Sequence, residues 1–193
     1  MNRVATDLFG NKAFLDSRIK ASINLSAADI RQKDFPENLV AIAGKYGIEP
    51  ARLEIEITEN MFMSDIQACT HKLQVLSNKG FSIAIDDFGT GYASLNYLRE
   101  LPVHTVKIDY SYVSEIEHSK KGAALVAAII GMAHALGMNI VPEGDENTNQ
   151  LKFLEELDCH IMQGFLFSKP VSTTDLLRII VNQREKPSNL ANA

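Results

Sequence analysis

Short apolar runs alternate with longer amphipathic stretches along most of the chain. Leu53-Glu54-Ile55-Glu56-Ile57-Thr58 alternates strictly, so Leu53, Ile55 and Ile57 share one face of a strand while Glu54, Glu56 and Thr58 share the other. Further strands are predicted at 21–26, 81–86, 105–109, 139–144 and 160–164. Helical spacing of apolar residues places helices between them, at 35–46, 64–78, 92–100, 122–136 and 147–157. A first helix is predicted at 3–19 and a closing one at 174–185. The punctuation agrees with these limits: Pro36 suits a first helical turn, Ser64 an N-cap, and Gly47, Gly80 and Gly137 stand just past helix ends.

Strand and helix thus alternate six times, which implies parallel strands joined by right-handed crossovers. An open doubly wound sheet and a (β/α)8 barrel both fit. The barrel is favoured by where the polar residues fall. Asn24, Glu56, Asp86, Asp87, Lys107, Asp109, Glu143 and Gln163 all lie at or near the C-terminal ends of their strands, the face on which barrel enzymes assemble a site from several strands. A doubly wound sheet would gather such groups at one switch point, and no glycine-rich dinucleotide fingerprint follows any strand.

The sharpest chemical signal is Ile83-Ala84-Ile85-Asp86-Asp87-Phe88-Gly89-Thr90-Gly91. Two adjacent carboxylates at the end of a buried strand repel each other unless a cation or a proton sits between them. The glycines after them let the backbone take positive φ and approach a ligand closely. Asn24, Glu56, Asp86, Asp87 and Glu143 make an oxygen-rich set, and no Cys-His spacing of a zinc site occurs, so Mg²⁺ or Mn²⁺ is the expected metal. Several carboxylates with a lysine suit metal-assisted phosphoester hydrolysis, with Lys107 offsetting phosphate charge and Glu143 taking a proton from water. Each residue also has a plainer role open to it. Asn24 suits a cap before Ala27, and Glu59 the first turn of a helix. Lys107 and Asp109 could pair with neighbouring charges, and Gln163 could be an ordinary satisfied polar residue.

Bulk properties narrow the field further. The 193 residues are 46% hydrophobic and 22% charged, a composition of globular proteins. A net charge of −5 gives no footprint for duplex DNA or RNA. Cys69 and Cys159 form no disulfide framework, which favours a reducing cytoplasm. The apolar stretch 122–138 contains His134 and is too short for a comfortable membrane span. One domain is expected over 1–186, with a flexible tail at 187–193.

In order along the chain, Ile23-Asn24-Leu25-Ser26, Leu53-Glu54-Ile55-Glu56-Ile57-Thr58-Glu59, Asp86-Asp87-Phe88-Gly89-Thr90-Gly91-Tyr92, Lys107-Ile108-Asp109, Glu143-Gly144-Asp145-Glu146 and Gln163-Gly164 resemble the motifs of the EAL-domain family. Its members are bacterial phosphodiesterases that linearise cyclic di-GMP. The resemblance implies a modified (β/α)8 TIM-type barrel with one antiparallel strand. It implies that Asn24, Glu56 and Asp86 hold one metal and Asp87 a second, that Glu59 braces the loop after Asp87, that Lys107 assists water and phosphate, and that Glu143 is the general base. Glu146 and Gln163 complete the site, and a homodimer through the region after Asp87 is compatible with it.

The departures are specific. No Glu-Ala-Leu tripeptide occurs in the sequence, nor the arginine that commonly follows it. By the resemblance, the first two strands precede residue 1, so about six βα units are expected here. Tyr110 stands where arginine is usual, and Pro142 and Asp145 stand where Ala and Val are usual. The expected function is metal-dependent hydrolysis of cyclic di-GMP to the linear dinucleotide, impaired in this chain. The alternative is a non-catalytic module that binds cyclic di-GMP or a protein partner.

Overall fold

The computed structural model of the chain describes residues 14, 19–59, 61, 66–90, 95–144 and 147–185. Five strands form one sheet: β1 (Ala21–Asn24), β2 (Leu53–Thr58), β3 (Ser82–Phe88), β4 (Thr105–Ile108) and β5 (Asn139–Pro142). Each neighbouring pair is parallel, and the order in space is the order in sequence. A doubly wound sheet reverses its strand order at a switch point, whereas a barrel wall does not. The described sheet is therefore barrel wall, and it is not closed. The segment expected as a sixth strand at 160–164 contributes one bridge instead, between Glu143 and Gln163.

The helices are α1 (Ala27–Arg31), α2 (Phe35–Lys45), α3 (Ile66–Asn78), α4 (Leu95–Glu100), α5 (Tyr110–Ser114), α6 (Lys120–Ala135), α7 (Thr148–Glu156) and α8 (Thr173–Glu185). Side-chain caps fix several starts: Ser26 begins α1 in a capping box with Asp29, Ser119 begins α6, and Asn147 begins α7. The two one-turn helices, α1 and α5, have too few residues to show a helical period, and the sequence pattern does not reveal them. Most of the helix expected at 3–19, the N-cap proposed at Ser64, the start of the helix expected at 92–100, and the tail at 187–193 lie outside the described residues.

Alternation along β2 sorts its side chains as expected. Leu53, Ile55 and Ile57 are buried, and they join Ile83, Ile85, Val106, Ile108 and Ile140 of the other strands in one core. Leu39, Leu73, Leu76, Val126 and Ile130 close that core from the helices. Cys69 and Cys159 belong to it as well. The opposite face carries Ser22, Asn24, Glu54, Glu56, Thr105 and Lys107, and it is this face that holds the polar chemistry. Ile55 has no exposed surface and lies between β1 and β3. Ile55→Ala should lower stability by about 2–5 kcal/mol, read as a shift of the urea midpoint.

Candidate active site

Five consecutive strands deliver six polar groups to the C-terminal edge of the sheet. Asn24 ends β1, Glu56 stands in β2, Asp86 and Asp87 end β3, Lys107 comes from β4, and Glu143 follows β5. The β3 contribution depends on a bulge. Ile85 pairs with Val106 and Phe88 with Ile108, so Asp86 and Asp87 together face the single residue Lys107. Strict alternation would send Asp87 into the core and Phe88 out. The extra residue lets both carboxylates reach the site and returns Phe88 to the core, where it is buried. Asp87 takes φ +53° to achieve this. The strand thus runs past Asp86, where the apolar pattern stops, because the bulge breaks the pattern without ending the pairing.

Lys107 is buried at the centre. Its Nζ lies 2.9 Å from Glu56 Oε1, 2.9 Å from Asp86 Oδ1 and 2.7 Å from Glu143 Oε1. Burial alone would push the ammonium down, but its hydrogen bonds to Glu143, Asp86 and Glu56 outweigh that and hold it well above the usual lysine range. Glu143 is pushed above the ordinary carboxylate range, chiefly by burial, against the pull of Lys107. Burial, then the charges of Asp86 and Asp109, raise Asp87.

Asn24 points the end of its amide at Glu56 Oε2 and Asp86 Oδ2, 3.2 Å from each. With nitrogen there it donates to both; with oxygen there, three oxygens converge on one point, the arrangement a hard cation requires. Oxygens of Asp86, Asp87 and Glu143 also lie within 4.8 Å of one another. One ammonium stands against four carboxylates, so negative charge remains to be neutralised. The residues present fit divalent metal, with Asn24, Glu56, Asp86 and Asp87 as the groups that would hold it.

The other predicted residues are placed as follows. Glu59 is buried just beyond β2, and its Oε1 accepts the Gly89 N–H at 2.7 Å. Asp109 caps α5 by accepting the Ser111 N–H at 3.0 Å. The Gln163 peptide flanks Glu143: its N–H donates to Pro142 O and its carbonyl accepts from Gly144 N–H. Glu146 lies outside the described residues. The turn before Ala27 is capped by Ser26, not by Asn24. Sequence reasoning did not single out Glu54, which sits below Glu56 on the same face and accepts from Thr105 Oγ1 at 2.9 Å and Ser22 Oγ at 3.4 Å. The strict alternation of β2 was the signal for it.

The model of the family described as "EAL domain" matches residues 4–170. The chain belongs to the EAL-domain family. Among relatives, the bifunctional diguanylate cyclase/cyclic di-GMP phosphodiesterase MucR of Pseudomonas aeruginosa is 38% identical over 156 residues, 81% of this chain and 23% of that protein. The EAL domain of Mycobacterium smegmatis DcpA superposes with a TM-score of 0.88 at 33% identity, covering 94% of this chain and 82% of that one. Klebsiella pneumoniae BlrP1, solved as a manganese and cyclic di-GMP complex, gives 0.78 at 27% identity, covering 89% and 45%. The chain spans between about a fifth and just over a third of the curated relatives it matches. Membership of the EAL family fixes the barrel class of the open wall described above.

Removing the ammonium leaves Glu56, Asp86 and Glu143 facing one another. Lys107→Met should cost about 3–5 kcal/mol, the usual result of orphaning buried charge, and added Mn²⁺ should restore part of it. Urea unfolding with and without Mn²⁺ measures both; midpoints that match wild type in each condition would remove Lys107 as the counter-charge of this cluster.

Proposed function

We propose that this EAL domain is a metal-dependent phosphodiesterase that opens cyclic di-GMP to the linear dinucleotide. The observation that carries the reading is the bulge that brings Asp86 and Asp87 together beside Asn24, Glu56 and Glu143, with Lys107 among them. Mg²⁺ or Mn²⁺ bound there would supply Lewis-acid stabilisation of phosphate oxygens and a more acidic water. The protein's part is separate. Asn24, Glu56 and Asp86 present oxygens to one ion and Asp87 to a second. Lys107 offers its ammonium to developing negative charge. Glu143, raised by burial, is a stronger proton acceptor than an ordinary carboxylate and takes the proton of the attacking water. Support comes from MucR, named for cyclic di-GMP phosphodiesterase activity, and from BlrP1, solved with manganese and cyclic di-GMP.

Asp86→Asn should lower turnover by about 10²–10³-fold, the range for losing one preorganised electrostatic group. Stripping metal with a chelator should abolish cleavage, and Mg²⁺ or Mn²⁺ should restore it. Full turnover after chelation would end the reading.

A second reading, a module that binds cyclic di-GMP or a protein partner without cleaving, is favoured by the contacts of Lys107, whose ammonium is already taken up by Glu56, Asp86 and Glu143. Saturable binding with no linear product would establish it. Among the described residues no helix is long and apolar enough to cross a membrane. The cytoplasmic location proposed for the domain rests instead on its two cysteines, too few for a disulfide framework. The domain itself is assigned to 1–186.

Self-association belongs to the same proposal, here through a surface other than the region after Asp87, part of which lies outside the described residues. Ile161, Phe165 and Phe167 are each more than half exposed, with Val171, Ile179 and Val181 on neighbouring segments. Contact between copies would take this apolar surface out of water at roughly 25 cal/mol per Å². Sedimentation velocity should therefore give a weight-average coefficient that rises with concentration; a constant monomer value removes the homodimer.

A further inference from the structure

The bulge that aims Asp86 and Asp87 is an unfavourable piece of backbone. Asp87 is left-handed at φ +53° and Gly89 follows at φ +100°, and a non-glycine residue in that region costs about 1–2 kcal/mol. Something must hold it. Within the turn, the Asp87 carbonyl accepts from Thr90 N–H at 3.3 Å and from Thr90 Oγ1 at 2.8 Å. From outside, two side chains grip Gly89 from opposite ends. Glu59 takes its N–H, while the Tyr112 hydroxyl donates to its carbonyl oxygen. The Tyr112 ring also floors this residue: a Cβ added at Gly89 would lie 2.7 Å from Tyr112 Cε2.

Tyr112 is itself firmly seated. It belongs to α5, which Asp109 caps at one end and which the fully buried Val113 anchors in the core. The same short run of chain therefore carries Lys107 at the end of β4 and Tyr112 one helical turn beyond it. Among the described residues Tyr112 makes no hydrogen bond to the carboxylates or Lys107, yet it joins the chain that carries Lys107 to the turn that presents Asp86 and Asp87.

We propose that Tyr112 is a positioning residue of the site, fixing the Asp86–Asp87 bulge through the Gly89 carbonyl. Its consequence for metal rests on the functional reading above; its hold on the turn does not. Tyr112→Phe keeps the ring and removes only the donor. Amide hydrogen exchange at residues 88–90 should then quicken by about 3- to 10-fold, the factor that matches one hydrogen bond's net contribution, while amides of α6 keep their rates. Mn²⁺ affinity, measured calorimetrically on the same samples, should fall by a similar factor.

Unchanged exchange at 88–90 overturns the proposal, as does a rise spread evenly over the whole protein, which would mark a merely structural loss. Local quickening with undiminished Mn²⁺ affinity also overturns it, because the acids would then be aimed without Tyr112. If wild type binds no Mn²⁺, the metal reading falls, and local quickening alone still establishes Tyr112 as the residue that holds the turn.

Discussion

The site depends on one buried ammonium. Two like charges about 4 Å apart at an effective dielectric near 20 repel by about 4 kcal/mol, so the acids at the strand ends could not be gathered without compensation. Lys107 supplies it by contacting Glu56, Asp86 and Glu143 at once. The same contacts decide its protonation, since burial works against the charged form and three carboxylates overrule it. Asp87 falls outside that embrace and is raised by burial and its acidic neighbours. The cluster is held together by Lys107 and is still short of positive charge.

Geometry imposes the second constraint. A parallel strand buries one face under helices and offers only alternate residues to the other. Two consecutive acids on β3 cannot both serve the site under that rule. The bulge resolves the conflict by spending an extra residue, and Phe88 re-enters the core immediately afterwards as an anchor. Strain at Asp87 is the consequence, and it falls at the point where chemistry is concentrated. The bonds at Gly89 and Thr90 oppose that strain, which is why a glycine, a glutamate just beyond β2 and a tyrosine of α5 converge on one turn.

Most of this architecture was legible in the sequence because it obeys periodicity. Alternation in 53–58 placed Glu56 on the polar face and Ile55 in the core, and the strand ends collected Asn24, Lys107 and Glu143 before any coordinates. What escaped was non-periodic. The bulge hides because Asp86-Asp87 reads as a strand end, although pairing continues to Phe88. The segment 160–164 looks apolar enough for a strand, yet its one bridge is set by contact with Glu143 and not by its own pattern. Tyr112 left no mark because its partner is a backbone carbonyl, and backbone has no sequence signature. Asp109 was visible as an acid at a strand end, but its hydrogen bond to Ser111 is a capping role that spacing alone does not distinguish from ligation.

Asn24 ties the chemistry to β1. It ends β1, which pairs with β2 alone among the described strands, whereas Glu56 and Asp86 lie in β2 and β3. The Asn24 amide reaches past β2 to Asp86 and so adds a second tie by side chain. As a donor it links β1 to both acids; a cation shared by the same three groups would replace two hydrogen bonds with stronger ligand bonds along the same line. On the functional reading proposed above, pairing of β1 and occupation of the site would be coupled. A ligand present at 100 times its dissociation constant adds about 2.7 kcal/mol to the state that binds it, and here that state is the one with β1 in place. Weakening the ladder between β1 and β2 would then weaken the site before any ligating residue is changed.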